Sequence, residues 1–345
     1  MSTRIPTLDG CRGLAILLVL FDHAQAALVG RYVRPWTQTG QHGVTLFFVL
    51  SGFLITSKLI AGPIDLKKFY LRRVFRLMPT AWAYLSVLLL LNQLTGIEWL
   101  SLSELRSCLL FYRNFHAAPG MAGHFWSLSI EEQFYLTWPC LLLLAGARRS
   151  RWLAAGSILA IAAYRFVFWA HYSRPGPNLE SQVRMDALLV GCLLALLLVS
   201  PRVRLLGAQW SKLWAVSAIA GLLYYMARFH TLAPLCESVA IAGLLSASLL
   251  HSGSVAAKPL SFAPLAWLGT VSYSVYLWQS LFVPIGRTPL MHVASFFVAM
   301  PIFALGSYYC IERPCTRLGH KLTSEAGGAR NLHPTIDRGA EVEIA

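Results

Sequence analysis

A succession of apolar segments constrains this chain more than any other feature, because each is close to the ~20 residues an α-helix needs to cross a hydrocarbon core. Reading for such runs gives ten candidate spans, at 13–29, 43–61, 77–94, 126–146, 152–170, 183–200, 213–229, 234–252, 265–285 and 290–311. Inside lipid the backbone must satisfy its own polar groups, and runs of this length do so as helices. The expected fold class is all-α, a polytopic membrane helical bundle of about ten transmembrane helices. Composition agrees. Charged residues are only 13% of the 345 and hydrophobic residues 56%, which excludes a disordered chain and speaks against an ordinary soluble domain. Residues 1–321 read as one integral membrane domain. Residues 322–345 are polar with no apolar period and read as a disordered cytoplasmic tail.

The formal charge of +14 invites a nucleic-acid reading, but the placement of the basic residues opposes it. Twenty Lys and Arg fall at the N-terminus, in the loops after even-numbered spans and in the tail, against six in the opposite loops. That asymmetry is an orientation signal, so both termini are expected in the cytoplasm. A rival reading takes the first span, followed by Ala24-Gln25-Ala26, as a cleavable signal peptide. Asp22 and His23 fit it poorly, and cleavage would leave the other spans oriented as before. The seven cysteines are odd in number and contain no CxxC, so neither a disulfide framework nor a metal site is expected.

Ionisable residues inside spans are costly and raise a functional-site hypothesis. In the expected topology Asp22 and His23, Glu131 and Glu132, Arg165, Arg184, Asp186 and Glu237 all fall in the outer halves of their spans. They read as the lining of one polar cavity on the non-cytoplasmic side. Arg12 and His23, 11 residues apart, share a helical face, with Arg12 about 16 Å nearer the cytoplasm. Arg12 also reads as an orientation anchor. Glu131 shares a face with Ser127 and Tyr135, whereas Glu132 and Asp186 also read as helix-end charges. Before span 3 stand Lys67, Lys68, Arg72, Arg73 and Arg76. Guanidinium forks suit phosphate; either anionic lipid or a soluble anionic donor at the inner face would satisfy them.

The chain resembles the acyltransferase-3 integral membrane acyltransferases, which modify bacterial surface sugars and some small natural products. The matching stretches run in order over most of residues 5–317. They are Ile5-Pro-Thr-Leu-Asp-Gly-Cys-Arg12 with His23 eleven residues on, Gly43 to Thr56, Arg72-Arg73-Val-Phe-Arg76 and Phe125-Trp-Ser-Leu-Ser-Ile-Glu-Glu-Gln-Phe-Tyr135. Arg184-Met-Asp186 to Gly191, Ser272-Tyr273 to Trp278, and Ile311-Glu-Arg-Pro314 complete the series. Two positions depart from the family pattern: Thr45 stands where many relatives have Asp, and Gln279 where His usually follows Tyr-Leu-Trp.

The resemblance implies a bacterial inner-membrane enzyme that takes an acyl group, acetyl first, from acyl-CoA as donor substrate, with no permanently bound cofactor. The acceptor implied is a hydroxyl of a surface-polysaccharide or lipid-linked sugar, with a macrolide-like natural product as the alternative. His23 would be the general base, with Asp22 or Glu131 fixing its tautomer. Arg72, Arg73 and Arg76 would hold the phosphates and Arg12 would orient the donor. Glu132, Arg184, Asp186, Tyr273 and Gln279 would line the acceptor cavity. Membrane lipids and a separate periplasmic partner protein are further expected partners. A transporter with a charged relay accounts equally for buried charges, but less well for arginines grouped inside and a histidine outside.

Overall fold

The computed structural model describes residues 5–29, 39–116, 120–168, 181–207, 221, 232–250, 257–282 and 295–330, and among them every regular element is helical. The helices are α1 (Pro6–Val29), α2 (Thr39–Ile60), α3 (Leu66–Thr95), α4 (Leu102–Leu109), α5 (Phe125–Val167), α6 (Ser181–Leu198) and α7 (Ala233–Leu250). They continue with α8 (Ala257–Leu260), α9 (Ala263–Phe282), α10 (Met300–Ser307) and α11 (Arg313–Arg330). Five described elements are long and apolar enough to cross a membrane: α2, α3, α6, α7 and the run Ser295–Ser324. Span 1 coincides with α1, and span 9 with α9. Spans 4 and 5 coincide with the two limbs of α5, which part at Gly146 with φ 71° and ψ 163°. This left-handed backbone suits a residue without a Cβ. Span 7 lies outside the described residues apart from position 221.

Two ends differ from the sequence expectation. Span 3 was drawn from residue 77, but α3 starts at Leu66, where Asp65 caps it by accepting from the Lys68 N–H at 2.9 Å. The arginines are therefore helical residues continuous with the span. At the other end of the chain the helix continues to Arg330, nine residues past the boundary set at 321. Residues 331–345 lie outside the described residues. Two π-helical turns, Ser295–Ala299 and Tyr308–Glu312, flank α10.

Lipid tails are as apolar as leucine, so helices associate through close packing rather than the hydrophobic effect. The glycines show how. A Cβ on Gly52 of α2 would strike the Leu188 carbonyl oxygen of α6, and one on Gly191 of α6 would strike that of Val49 in α2. Gly269 of α9 meets the Asp9 carbonyl of α1 in the same way. These contacts draw α1, α2, α6 and α9 into one bundle. A buried bond from the Trp138 indole N–H to Thr56 Oγ1, 2.8 Å, ties α5 to α2. Leu94, Leu144 and Leu159 face outward on the lipid side of the bundle, Leu144 being 82% exposed.

Candidate active site

Five helices, α1, α2, α3, α5 and α9, enclose a cavity of about 140 Å³. The α2 wall is Val44, Phe47, Ser51, Leu54 and Lys58, a 3-4-3-4 spacing that keeps them on one helical face. At ~1.5 Å per residue those positions span about 21 Å, so the cavity is elongated along α2. Ser127, Glu131 and Tyr135 line it from α5 at intervals of four. Near the Lys58 end stand Arg12, Arg73 and Arg76, and Tyr273 and Tyr276 enter from α9.

The four cations differ in how they are neutralised. Arg73 is locked: its Nε and Nη2 donate to Glu132 Oε1 at 3.0 and 2.8 Å, and its guanidinium lies 3.1 Å from the Tyr135 ring centroid. Arg12 pairs with Asp9 at 3.1 Å, one turn away on α1. Arg76 and Lys58 have no ion pair among the described residues. Both are exposed, so their charge is solvated at the end of the cavity and open to an anion. Arg72 turns away and donates from Nε to Thr323 Oγ1 of α11 at 2.7 Å. Glu131 accepts from Ser51 Oγ at 2.8 Å.

Several sequence assignments are corrected here. Glu131 and Glu132 do not sit with the outer charges; they meet the arginines, because α3 carries those arginines well into its own length. Glu132 is not a helix-end charge but the partner of Arg73. Asp22 does not bond His23. Its carboxylate accepts from the Thr39 hydroxyl and the Gly40 N–H, capping the start of α2. His23 Nδ1 lies 2.9 Å from the Val19 carbonyl oxygen. A carbonyl only accepts, so Nδ1 carries the proton and Nε2 keeps its lone pair. The tautomer suited to a base is fixed by the helix itself, not by Asp22 or Glu131. His23 is not part of the cavity wall, but it lies near enough to His124 to act on it electrostatically. His124 in turn accepts at its carbonyl from Tyr276, which does line the cavity.

Arg184 and Asp186 stay outside the cavity. Asp186 forms a closed pair with Arg165 at 2.5 Å, both buried, and Arg165 also donates to the Val183 carbonyl. This joins α6 to the second limb of α5 and is a structural contact. The Arg184 guanidinium stands 5.6 Å from the Trp126 ring centroid. Tyr273 lines the cavity and donates to the Leu77 carbonyl at 2.8 Å. Gln279 is fully buried but not on the cavity wall. Lys58 and Ser51 escaped the sequence reading. A lysine at the inner end of an apolar run reads as an interfacial anchor, and only the spacing to Ser51 and Phe47 placed it on this face. His42, which pairs with Glu237 at 2.8 Å, was also unassigned.

The sequence model of the family described as an acyltransferase domain matches residues 5–311. The chain is similar to the YrhL protein of Bacillus subtilis, with 30% identity covering 92% of this chain and 56% of that protein. It is similar to the peptidoglycan O-acetyltransferase OatA of Listeria monocytogenes, with 30% identity covering 84% and 51%. The O-acetyltransferase OatA of Staphylococcus aureus is 28% identical, covering 92% and 58%. The chain thus spans about half the length of the curated relatives it matches. No solved structure matches it.

Proposed function

The chain belongs to the acyltransferase-domain family, and from that premise we propose that it is a membrane O-acyltransferase. It moves an acyl group, acetyl first, from acyl-CoA to a hydroxyl of a cell-wall or other surface sugar, lipid-linked or polymeric. In this reading ten helices cross the bacterial inner membrane, with both termini and the arginine end of the cavity in the cytoplasm. The observation that carries it is the passage itself: unpaired Arg76 and Lys58 at one end, neutral Ser127 and Tyr276 toward the other. Its volume is below the ~300–1,000 Å³ of a pocket that swallows a drug-sized ligand, so it admits the thioester end while the phosphates stay at the cationic mouth.

His23 lies off the cavity wall, so the base is assigned from the family's Arg12-to-His23 motif and not from the cavity lining. The acceptor hydroxyl oxygen attacks the thioester carbonyl carbon, and its proton passes to the His23 Nε2 lone pair. The C–S bond breaks, and the coenzyme thiolate leaves and recovers the proton. Imidazole is the side chain suited to taking a proton in this way at neutral pH. Arg76, Lys58 and Arg12 hold the phosphates, and Arg73 is the fixed wall behind them. A separate periplasmic protein supplies whatever further processing the acceptor needs. The test is donor binding by the purified protein: titration with acetyl-CoA should give saturable affinity that falls at least tenfold in Arg76→Ala and Lys58→Ala, with fold retained. Equal affinity in both variants would return these cations to a lipid-contact role.

A further inference from the structure

Next to the cavity lies a group of buried polar atoms without hydrogen-bond partners among the described residues. Its centre is Tyr84, fully buried, with its hydroxyl donating to the Met121 carbonyl at 2.8 Å. The Tyr84 ring meets the His124 ring at 5.3 Å and the Trp278 ring at 5.4 Å between centroids, both edge-on. The His124 ring faces the Met121 backbone without a well-formed hydrogen bond, and the Trp278 indole N–H has no partner among the described residues. Gln279, the next residue, is 0% exposed with both amide atoms unpartnered. Five orphaned atoms on His124, Trp278 and the next residue along α9, Gln279, are hard to reconcile with a dry packing core, since buried polar groups are nearly always paired with protein, water or ligand.

Tyr276 connects this cluster to the cavity. Its ring lies 5.6 Å from that of His124, its hydroxyl is 2.6 Å from Ser127 Oγ, and both Tyr276 and Ser127 line the passage. The cluster contrasts with the cationic mouth. It holds no carboxylate and no lysine or arginine. A neutral imidazole and a carboxamide each offer a donor and an acceptor, and the indole adds a donor. The matching ligand is neutral, carries hydroxyl or amide groups, and has apolar C–H faces to lie against the rings.

We infer that His124, Trp278 and Gln279 form a neutral subsite that seats a hydroxyl- or acetamido-bearing sugar residue of the acceptor beside the transfer passage. The inference rests on the acyl-transfer reading for calling this ligand the acceptor, though not for its chemistry. Gln279 hydrogen-bonds but does not take a proton at neutral pH, so this subsite holds the sugar and leaves proton transfer to His23.

The test is saturation-transfer NMR on the full-length protein in nanodiscs, with chitotetraose and maltotetraose as probes and coenzyme A titrated in parallel. Gln279→Leu and His124→Phe keep volume while removing the orphaned atoms, so thermal stability should hold or rise. Each should weaken saccharide affinity about tenfold or more while coenzyme A affinity stays within about twofold. Binding of chitotetraose alone identifies an acetamido group as the feature read; binding of both probes identifies the hydroxyls. Should either variant fail to fold, Gln279→Met and Trp278→Phe carry the same comparison. Unchanged saccharide affinity in the variants overturns the subsite, as does a wild-type protein that binds coenzyme A but neither saccharide. Saccharide binding that the variants lose, with no coenzyme A binding in any form, keeps the subsite and overturns the acyl-transfer reading instead.

Discussion

Arg73 and Arg76 sit three residues apart on α3 and have opposite surroundings. Arg73 is held by Glu132 and Tyr135, whereas Arg76 has no ion pair. Glu132→Gln and Arg73→Gln should therefore behave alike and lose stability, because removing one partner of a buried pair costs about 3–5 kcal/mol. Thermal unfolding of the purified protein checks this; a normal transition in Glu132→Gln would contradict it. Arg76→Lys should instead keep its stability and raise the KM for acetyl-CoA, since charge is preserved while the fork is lost. His23→Gln should reduce turnover by about 10² to 10⁴ with donor affinity unchanged, the contribution expected of a general base. Near-normal transfer in that variant, at equal expression, would remove His23 from the chemistry. The family resemblance singled out the arginine motif and His23, but the sequence could not show which arginine is already neutralised. That depends on how far α5 slides along α3, and a span boundary at residue 77 hid that the five basic residues before it, Lys67 to Arg76, belong to the same helix.

Between elements, the contacts that fix the bundle are backbone approaches and buried polar ties such as Arg165–Asp186 and Arg73–Glu132. Gly52 and Gly191 bring α2 and α6 together until each would place a Cβ against the other's carbonyl. Either Gly→Ala change should destabilise by about 1–3 kcal/mol through overpacking, read as a lower melting temperature in detergent. Unaltered melting of both would show that the helices can part without penalty. Both glycines lie in stretches that carry the family resemblance, so their importance was legible, but the reason was not. Apolar periodicity reports which residues avoid water, and in lipid that does not distinguish a helix–helix seam from a lipid-facing side. The same blindness placed Asp186 in the acceptor cavity. Its depth was readable from the sequence, whereas its partner Arg165 comes from another helix.

For the molecule as a whole, the succession of apolar runs gave the all-helical class, and Lys and Arg placement carries the proposed orientation. The expected orientation puts residue 67 in the cytoplasm and residue 110 outside, both exposed on the protein. In a background without native cysteines, an impermeant thiol reagent on intact cells should label Leu110→Cys and spare Lys67→Cys; the reverse pattern would invert the topology. Orientation matters because the account assigns the two ends of the passage to different compartments, donor inside and sugar outside. The central claim is that this passage joins them for acyl transfer. Its most direct test is mass spectrometry of a lipid-linked N-acetylated saccharide incubated with [¹³C]acetyl-CoA and the purified protein in nanodiscs. The account predicts one labelled acetyl ester on the saccharide, formed by the wild type and lost in His23→Gln and Arg76→Ala. A saccharide that stays unlabelled beside folded wild-type protein, or equal labelling in both variants, would contradict it.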